Sequence, residues 1–515
     1  MPTGSAKSLN RAAALVLAAG VTGTAAVMGV RAFSSGAATT ARESAVELAG
    51  TSGAGQAGTS GVEQGQKPCG AEFAQSAADQ LSELIRFRTV FAEQRDVIEL
   101  EEFTGYIEAL ERLYPGVHAT LGREPVNGHA LLYKWSGTEP DAALKAVVLM
   151  AHYDVVPVDE RDDWTHPGFS GYQDGTYVWG RGALDDKGAM VVILAAVESL
   201  LAQGFAPASD IYLSFGNNEE SAGDSAMVAA ETLRSRVVRP WFVLDEGGAV
   251  AVNAFPGLTA PAAVIGVSEK GILDLELLAR GAGGHASTPP RMGATARLAR
   301  AIMALERTPF PSSMPDPIVE MMRRIGSHSS FGMRLITANM WAFKPLLTRA
   351  FAWVGDETRA LTRTTVAFTM LEGSKASNVL ASSARANANI RIAVGETVDT
   401  VVERVRRIID DPDIELLVRG GHNPSPVSPT DNEQFALLSK CVAAAYPQAV
   451  VMPYVQTGAT DSRNFTDICP AVYRFSPLLM DESDRASLHA VNEKVRIASL
   501  GAGVVFYRKL IQNVG

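Results

Sequence analysis

The sequence predicts an α/β protein with a mostly parallel β-sheet and helices on both of its faces, interrupted by a smaller α+β domain. Apolar strand-like and helix-like segments alternate between residues 144 and 248, which is typical of a parallel sheet. After Val267 the pattern changes to strands with alternating apolar and polar residues. Histidine and acidic residues follow several predicted strands, at the sheet edge where ligands bind in such folds.

Length and composition narrow the class of protein. With 515 residues, 47% of them hydrophobic, the chain can form a large core and more than one domain. The net charge of −10, without a long basic run, argues against a nucleic-acid partner. Cys69, Cys441 and Cys469 allow at most one disulfide bond and lack Cys-x-x-Cys spacing, so they do not decide the compartment.

The amino terminus has the pattern of a targeting segment. Lys7 and Arg11 precede an uncharged stretch rich in Ala, Val and Gly that ends before Arg31. Residues 1–31 are therefore predicted to be a signal peptide or a signal-anchor helix. We expect entry into the secretory pathway, with a secreted or membrane-anchored catalytic domain on the lumenal or extracellular side. Residues 32–68, rich in Gly, Ser, Ala and Thr, are predicted to form a flexible linker.

The first domain is predicted from the periodicity of its apolar residues. In order, its elements are a helical region at 71–113, a strand at 144–150, a helix at 189–201, a strand at 211–215, a helix at 226–234 and a strand at 241–244. A turn-rich region with many glycines separates the first strand from the second helix. The catalytic domain is expected to comprise residues 69–266 and 421–515, the latter supplying its last strands and a carboxyl-terminal helix.

Residues 267–420 are predicted to form the second domain, inserted into the first. Its elements are a strand at 272–278, a loop at 283–290, a helix at 294–305, a strand at 386–394, a helix at 398–409 and a strand at 414–418. A section broken by prolines and rich in aromatic residues occupies 310–361. The apolar segment 310–368 is predicted to be core of this domain, and the alternative is a groove for a long acyl chain.

The candidate chemistry lies at the predicted strand ends. His152 and Asp154, two residues apart on a strand, share one face, so Asp154 can orient a metal-binding imidazole. Further candidates follow in Asp185, Glu219, Glu220, the pair Asp245 and Glu246, and His489. Two divalent cations that share a water need a bridging carboxylate, with one His and one further carboxylate each. One glutamate of the 219–220 pair would bind metal and leave the other as general base.

These residues and their spacing resemble those of the aminoacylase/carboxypeptidase family of dinuclear zinc hydrolases, peptidase family M20. The matching motifs are His152-x-Asp154, Gly180-Arg-Gly-Ala-Leu-Asp185-Asp-Lys-Gly188, Glu219-Glu220, Asp245-Glu-Gly247, Gly284-His285 and His489. Within the family, Val267-Ser-Glu-Lys-Gly271, Asn378, Thr460-Asp-Ser-Arg463 and His489-x-Val-Asn-Glu-Lys494 are most similar to the branch of carboxypeptidase S and the N-fatty-acyl-amino-acid synthase/hydrolase. The resemblance covers roughly residues 75 to 512.

The resemblance implies a zinc-peptidase catalytic domain with an inserted lid or dimerisation domain, and two Zn²⁺ per subunit. The implied metal ligands are His152, Asp185 as the bridge, Glu220, His489 and either Asp245 or Glu246. Asp154 would orient His152, and Glu219 would be the general base. His285 would stabilise the oxyanion in the partner subunit's active site. Asn378 and Arg463 would hold the substrate's carboxylate, for which a bidentate arginine is well suited.

The implied activity is zinc-dependent hydrolysis of an amide bond next to an amino acid with a free carboxylate, by a homodimer acting on a small-molecule substrate. We favour an N-acyl-amino-acid hydrolase that can also run in reverse to join fatty acids to amino acids, because the apolar insert could hold an acyl chain. The alternative is a carboxypeptidase S-like enzyme acting on short peptides. An alternative of another class is a metal-free binding or scaffold protein, against which the retention of all ligand types argues.

Overall fold

The structure is a computed structural model that describes residues 69–91, 100–255 and 258–514. The predicted targeting segment and linker at 1–68 lie outside these residues. No helix in the described ranges is both long enough and apolar enough to cross a membrane. The fold is a mixed α/β architecture with a large, mostly parallel central sheet, which confirms the predicted class.

The first part of the chain forms one half of the large sheet and its covering helices. In order, it contains α1 (Ala71–Ile85), α2 (Leu100–Leu113), α3 (Pro115–Thr120), β1 (Gly122–Val126), β2 (Ala130–Trp135), β3 (Val147–His152), β4 (Tyr172–Gln173), β5 (Tyr177–Trp179), α4 (Lys187–Leu201), β6 (Ile211–Gly216), α5 (Ser225–Ser235), β7 (Phe242–Asp245), β8 (Ala249–Ala251) and β9 (Ala262–Glu269).

The remaining elements form a second sheet, a helical section and the end of the large sheet. They are β10 (Gly271–Arg280), β11 (Gly284–His285), α6 (Ala294–Arg307), α7 (Asp316–Ser327), α8 (Phe331–Ala338), α9 (Met340–Val354), α10 (Asp356–Thr362), β12 (Thr365–Glu372), β13 (Val379–Leu380), β14 (Ser383–Ile392), α11 (Val398–Ile409), β15 (Ile414–His422), α12 (Glu433–Ala445), β16 (Val450–Gln456), β17 (Val472–Arg474), β18 (Leu479–Met480), α13 (Glu482–Ala486), β19 (Lys494–Arg496) and α14 (Ile497–Gln512).

The large sheet has the strand order β1-β2-β6-β3-β7-β17-β9-β8-β18, with β16 paired to β9. Strands β6, β3, β7 and β17 are parallel, so their carboxyl ends meet at one edge. Every residue of β3, β6 and β7 is buried, as expected for central strands covered on both faces. His152 and Asp245 end two of these strands, and Glu219 and Glu220 follow a third.

The strand predicted at 144–150 is shifted in the structure. Residues Ala142–Lys145 form a 3₁₀ helix, and Leu144 is exposed. Strand β3 begins at Val147, where it first pairs with both Ile211 and Phe242. The start of the strand is thus set by its neighbours in the sheet, whereas local hydrophobicity alone predicts an earlier start.

The second sheet is antiparallel, with the order β12-β14-β10-β15. In β10 the apolar residues Leu273, Leu275 and Leu277 are buried against α6 and α11, while Asp274 and Glu276 lie on the other face, as their alternation predicts. All four strands come from residues 271–422. The exact boundaries of an inserted domain at 267–420 remain a prediction.

The section at 310–361 folds into the helices α7, α8, α9 and α10. Phe310 packs in the core of the second sheet, but Ile318 and Met322 of α7 pack against Val450 and Met452 of β16. Part of this section therefore packs on the large sheet, and not in the core of the second sheet. The reason is that α7 has an apolar face along its whole length, and the large sheet presents an equally apolar strand to it.

Candidate metal centre

The centre is built around Asp185, which lies between two imidazoles. His152, at the carboxyl end of β3, places Nε2 3.0 Å from Asp185 Oδ1. His489, from the turn before β19, places Nε2 2.9 Å from Asp185 Oδ2. One carboxylate thus directs one oxygen toward each histidine, although the two histidines are far apart in the sequence.

Glu219 and Glu220 follow β6 and complete this side of the centre. Glu220 Oε2 lies 3.2 Å from His489 Nε2. The backbone amides of Glu219 and Glu220 each donate to a different oxygen of Asp154, both at 3.1 Å. Asp154 Oδ1 also lies 3.4 Å from His152 Nδ1. Asp154 therefore holds the turn that carries both glutamates and contacts the His152 ring as well.

Asp245 and Glu246 face different surroundings. Asp245 Oδ2 accepts a hydrogen bond of 2.7 Å from the backbone amide of Ser462. Glu246 instead lies beside His152 and Asp186, and ligand atoms of these three residues are within 4.8 Å of one another. Asp186 was not a predicted site residue; the signal available in the sequence was its position next to Asp185.

The residues present fit a pair of divalent cations. Ligand atoms of His152, Asp185 and Glu220 form a second group within 4.8 Å. Buried Glu220 Oε1 and both carboxylate oxygens of Asp186 have no hydrogen-bond partner among the described residues. Buried carboxylate oxygens without a partner are costly, and imidazole and carboxylate are the ligands that zinc and similar cations bind.

Crowded carboxylates dominate the electrostatics of the centre. Burial raises the pKa of Glu219 well above its usual value, and nearby Asp461 and Asp185 add to the effect. Burial likewise raises the pKa of Glu246, with Asp185 next in importance. Hydrogen bonds to Asp185 and Glu220 raise the pKa of His489 to about 10. Without cations the centre thus favours added protons, which is the response expected of accumulated negative charge.

The pKa of His152 depends on two opposing effects. Burial lowers it, but the hydrogen bonds to Asp154 and Asp185 outweigh burial, so the pKa lies well above the usual value. Asp185 shows the complementary behaviour. Burial opposes its ionisation, but hydrogen bonds from His152 and His489 bring its pKa below the usual value. Both shifts describe carboxylate–imidazole pairs held out of water.

A buried ion pair fixes the loop that carries Asp185. Glu493 Oε2 lies 2.7 Å from Arg181 Nη1, and both side chains are almost fully buried. Glu493 Oε1 accepts hydrogen bonds from the backbone amides of Leu184 and Asp185. Gly182 has a φ of 85° here, and a Cβ on it would lie 2.8 Å from Val155, so this turn requires glycine.

Glu269 and Arg474 form a second buried pair, which the sequence analysis did not identify. Arg474 Nε lies 3.1 Å from Glu269 Oε2, and neither side chain is exposed. The same glutamate oxygen accepts from the amide and hydroxyl of Thr460, and the backbone of Glu269 is hydrogen-bonded to Ser425. The signals in the sequence were a charged residue within the apolar strand β17 and the motif Val267-Ser-Glu-Lys-Gly271, which contains Glu269. Glu269 thus connects the start of the 460–465 loop to the two segments where the chain passes between the large and the second sheet, one at Glu269 itself and the other at Ser425.

His285 and Asn378 lie at a small two-stranded sheet formed by β11 and β13. His285 is exposed on β11, and its Nδ1 lies 2.7 Å from Ser287 Oγ. The backbone oxygen of Asn378 accepts from the amide of Ala286, so His285 and Asn378 are neighbours. Within the described residues, neither makes a hydrogen bond or ion pair to the centre. Arg463 lies on the 460–465 loop, where its Nη1 donates to the backbone oxygen of Thr460.

Two sequence relatives cover most of this chain. It is 35% identical over 446 residues to probable carboxypeptidase S-like 2 of Dictyostelium discoideum, covering 85% of this chain and 84% of the relative. It is also 35% identical over 431 residues to the human N-fatty-acyl-amino acid synthase/hydrolase PM20D1, with 82% and 84% covered.

Solved structures share the fold. The M20 metallo-carboxypeptidase Sso-CP2 of Sulfolobus solfataricus aligns with a TM-score of 0.63 at 17% identity, covering 84% of this chain and 98% of that one. YXEP of Bacillus subtilis, described as a dinuclear metal-binding M20 peptidase, aligns with a TM-score of 0.53 at 14% identity, covering 86% and 98%. The profile of peptidase family M20/M25/M40 matches residues 148–513. The chain therefore belongs to this family of metal-dependent enzymes and is a hydrolase of peptide or other amide bonds.

Proposed function

We propose that the protein is an N-acyl-amino-acid hydrolase that cleaves the amide bond between an acyl group and an amino acid with a free carboxylate. The observation that carries this proposal is the position of Asp185, with one oxygen 3.0 Å from His152 and the other 2.9 Å from His489. A carboxylate placed in this way can bridge two cations. The choice of an acyl substrate is supported by the similarity to a relative named N-fatty-acyl-amino acid synthase/hydrolase.

We assign two Zn²⁺ to the centre, held by His152, Asp185, Glu220, His489 and Glu246. Glu246 is preferred over Asp245 because its carboxylate lies in the group with His152, whereas Asp245 is hydrogen-bonded to Ser462. Asp186, in the same group as Glu246, is a further candidate ligand. When bound, such cations lower the pKa of a shared water toward neutrality and polarise the scissile carbonyl.

The residues of this chain supply the proton transfers. Glu219 is the general base that accepts a proton from the attacking water and then delivers it to the leaving nitrogen. Burial raises its pKa, which allows it to hold that proton between the two transfers. Asp154 contacts the His152 ring and accepts a hydrogen bond from the backbone amide of Glu219, so it fixes the position of the general base relative to the imidazole.

The remaining substrate contacts are proposed from the β11–β13 pair and the 460–465 loop. Arg463 is placed to bind the substrate's carboxylate, and Asn378 would add a hydrogen bond from the other side. His285 would stabilise the developing oxyanion. Because His285 and Asn378 form no hydrogen bond or ion pair with the centre among the described residues, we propose that they serve the active site of a second subunit in a homodimer. The same groups could support condensation of a fatty acid with an amino acid.

A substrate panel tests the proposal. Purified protein would be offered N-oleoyl-amino acids, N-acetyl-amino acids and dipeptides that share the same carboxyl-terminal residue, each with and without a chelator. We expect the N-oleoyl compounds to give the highest kcat/KM and the chelator to abolish all hydrolysis, with activity restored by Zn²⁺. Equal activity with chelator after full metal removal would contradict the metal assignment.

A carboxypeptidase acting on short peptides is the second candidate. It is supported by the similarity to the relative named probable carboxypeptidase S-like 2. Both candidates require the free carboxylate that Arg463 would bind, so esterified substrates should fail in either case. A clear preference for dipeptides over N-oleoyl-amino acids in the panel would select the carboxypeptidase and exclude the acyl-amino-acid reading.

We also propose that residues 1–31 direct the protein into the secretory pathway. The support is the sequence pattern, a basic start followed by an uncharged apolar stretch. Sequencing the amino terminus of the protein from membrane and extracellular fractions tests this. A new terminus near residue 31 indicates a cleaved signal peptide, and an intact terminus in the membrane fraction indicates an anchor.

A further inference from the structure

One face of helix α9 is apolar and exposed. Trp341, Pro345, Arg349 and Trp353 are spaced four residues apart and are all exposed, so they form a row that winds by about a third of a turn around the helix. Trp341 is 59% exposed and Trp353 is 87% exposed. On the other side of the same helix, Met340 and Phe351 are buried in the core formed with β16. The helix is thus fixed by one face and presents two tryptophans on the other.

The apolar surface continues beyond α9. Phe331, at the start of the adjacent helix α8, is 56% exposed, and Leu346 is 44% exposed. Next to Trp353 lies a groove of about 700 Å³ whose walls include Phe310 and Phe368. A second groove of about 650 Å³ runs past Lys344 and Arg349 to the same tryptophan. We call Phe331, Trp341, Leu346 and Trp353, with these grooves, the α9 face.

The charge of this region is opposite to that of the whole protein. Residues 328–355 contain Arg334, Lys344 and Arg349 but no aspartate or glutamate, in a chain with a net charge of −10. Arg363 lines both grooves beside Trp353. None of Lys344, Arg349 and Arg363 forms an ion pair with a carboxylate of the described residues. The larger groove also contains Glu306 and the ion pair of Arg359 with Asp356, so the unpaired positive charge of the α9 face is that of Lys344, Arg349 and Arg363.

We propose that the α9 face docks on the surface of an anionic lipid membrane. Tryptophan is the side chain best suited to the boundary between headgroups and acyl chains, and lysine and arginine bind the phosphates of anionic headgroups. A second copy of the chain fits less well, because a symmetric contact would place this positively charged face against the same positively charged face of the other copy. The proposal does not depend on the substrate of the active site.

Vesicle binding tests the proposal with the full-length protein. Co-sedimentation would compare vesicles of phosphatidylcholine alone with vesicles that also contain phosphatidylglycerol. We expect the wild type to bind the anionic vesicles more tightly. Trp341→Ser/Trp353→Ser and Lys344→Gln/Arg349→Gln should each weaken that binding by at least about tenfold, the second because each basic residue near the surface contributes to the attraction. Vesicle binding by Lys344→Gln/Arg349→Gln should also depend less on salt concentration than binding by the wild type.

The control is a variant with equally exposed apolar residues elsewhere. Leu144 is 75% exposed and Val237 is 79% exposed, and both lie on the part of the chain that forms the large sheet. Leu144→Ser/Val237→Ser should bind anionic vesicles like the wild type. Circular dichroism and hydrolysis of an N-acetyl-amino acid, which carries no long acyl chain, should be unchanged in all three variants, which shows that each is folded.

Two results would overturn the proposal. If both α9 variants bind anionic vesicles as the wild type does, any membrane binding comes from another part of the chain. If the tryptophan variant is instead a smaller oligomer in analytical ultracentrifugation, with vesicle binding unchanged, the α9 face is an interface between subunits.

Discussion

Glu219 and Glu220 are adjacent in the sequence, but the turn after β6 gives their carboxyl groups different surroundings. Glu220 Oε2 lies 3.2 Å from His489 and its other oxygen is buried without a partner among the described residues. Glu219 is buried among carboxylates that raise its pKa. These surroundings favour a ligand at 220 and a proton acceptor at 219, a distinction that residue types alone do not make.

Glu219→Gln tests the role of the general base. We expect it to retain bound metal but to lose at least about 10²-fold in kcat, because the amide cannot accept the proton of the attacking water. Glu220→Gln is the matched comparison, and it should lose metal as well as activity. Steady-state kinetics together with metal analysis separate the two effects. Turnover close to that of the wild type in Glu219→Gln would refute the assignment.

Asp245 and Glu246 can be distinguished by a similar pair of variants. Glu246→Gln should reduce the metal content, since its carboxylate lies in the group with His152 and Asp186. Asp245→Asn should keep the metal and instead alter KM, because Asp245 Oδ2 holds the amide of Ser462 in the loop that carries Arg463. Metal analysis and kinetics on one substrate measure both. The reverse pattern would move the ligand to Asp245.

At the scale of elements, the chain crosses twice between the large and the second sheet, and the crossings are locked together. Glu269 at the end of β9 bonds through its backbone to Ser425 on the return crossing. Its side chain pairs with Arg474 at the end of β17 and holds Thr460. The edge of the sheet that carries the centre is thus fixed by buried polar contacts as well as by strand pairing.

Glu269→Gln should destabilise the fold strongly. It leaves the Arg474 guanidinium buried without a negative partner, which typically costs about 3–5 kcal/mol of unfolding free energy. The control is Glu415→Gln, which removes the exposed pair with Arg280 and should cost no more than about 1 kcal/mol. Urea denaturation measures both. Similar losses in the two variants would show that the buried pair contributes no special stability.

Lys270, at the junction of β9 and β10, should make stability depend on pH. It is buried, and its ammonium donates to the carbonyls of Ala360 and Arg363 at the end of α10. Burial, assisted by Arg391, lowers its pKa to about 7. Between that value and the pKa near 10.5 of an unfolded lysine, the unfolded chain binds a proton that the folded chain lacks, so unfolding free energy rises with pH.

Lys270→Met tests this effect. As pH rises from about 7 to about 10, the unfolding free energy of the wild type should increase relative to that of the variant. The reason is that Lys270 is neutral in the folded wild type but protonated in its unfolded chain, whereas methionine does not titrate. Urea titrations at several pH values measure the difference, in which contributions from other groups largely cancel. A difference that stays constant over this range would contradict the lowered pKa.

At the scale of the whole molecule, the sequence predicted what depends on local pattern. Strand β3, which leads to His152, is buried on both faces and therefore has a continuous apolar run. Strand β10 is buried on one face, so its apolar and polar residues alternate. The proximity of His152 and Glu220 followed from parallel strand ends that share one edge, whereas the family resemblance pointed to Asp185 and His489, which lie on loops.

Other features depend on tertiary contacts that leave no period in the sequence. Buried Lys270 and Arg474 have the composition of surface residues, and only their partners Ala360 and Glu269 explain their burial. The packing of α7 on β16 joins segments that are remote in the sequence. Asp245 is the last residue of β7 and Glu246 is the next residue, and periodicity does not define which of their side chains points toward the centre.

The central claim, that Asp185 joins two cations to this chain, is tested most directly by counting metal ions per chain after dialysis, using native mass spectrometry. We expect two Zn²⁺ on the wild type and loss of both from Asp185→Asn, because the Asp185 carboxylate faces both His152 and His489. Asp431→Asn, which changes an exposed aspartate, should keep both ions. A wild type that binds no metal, or an Asp185→Asn variant that keeps both ions, would contradict the claim.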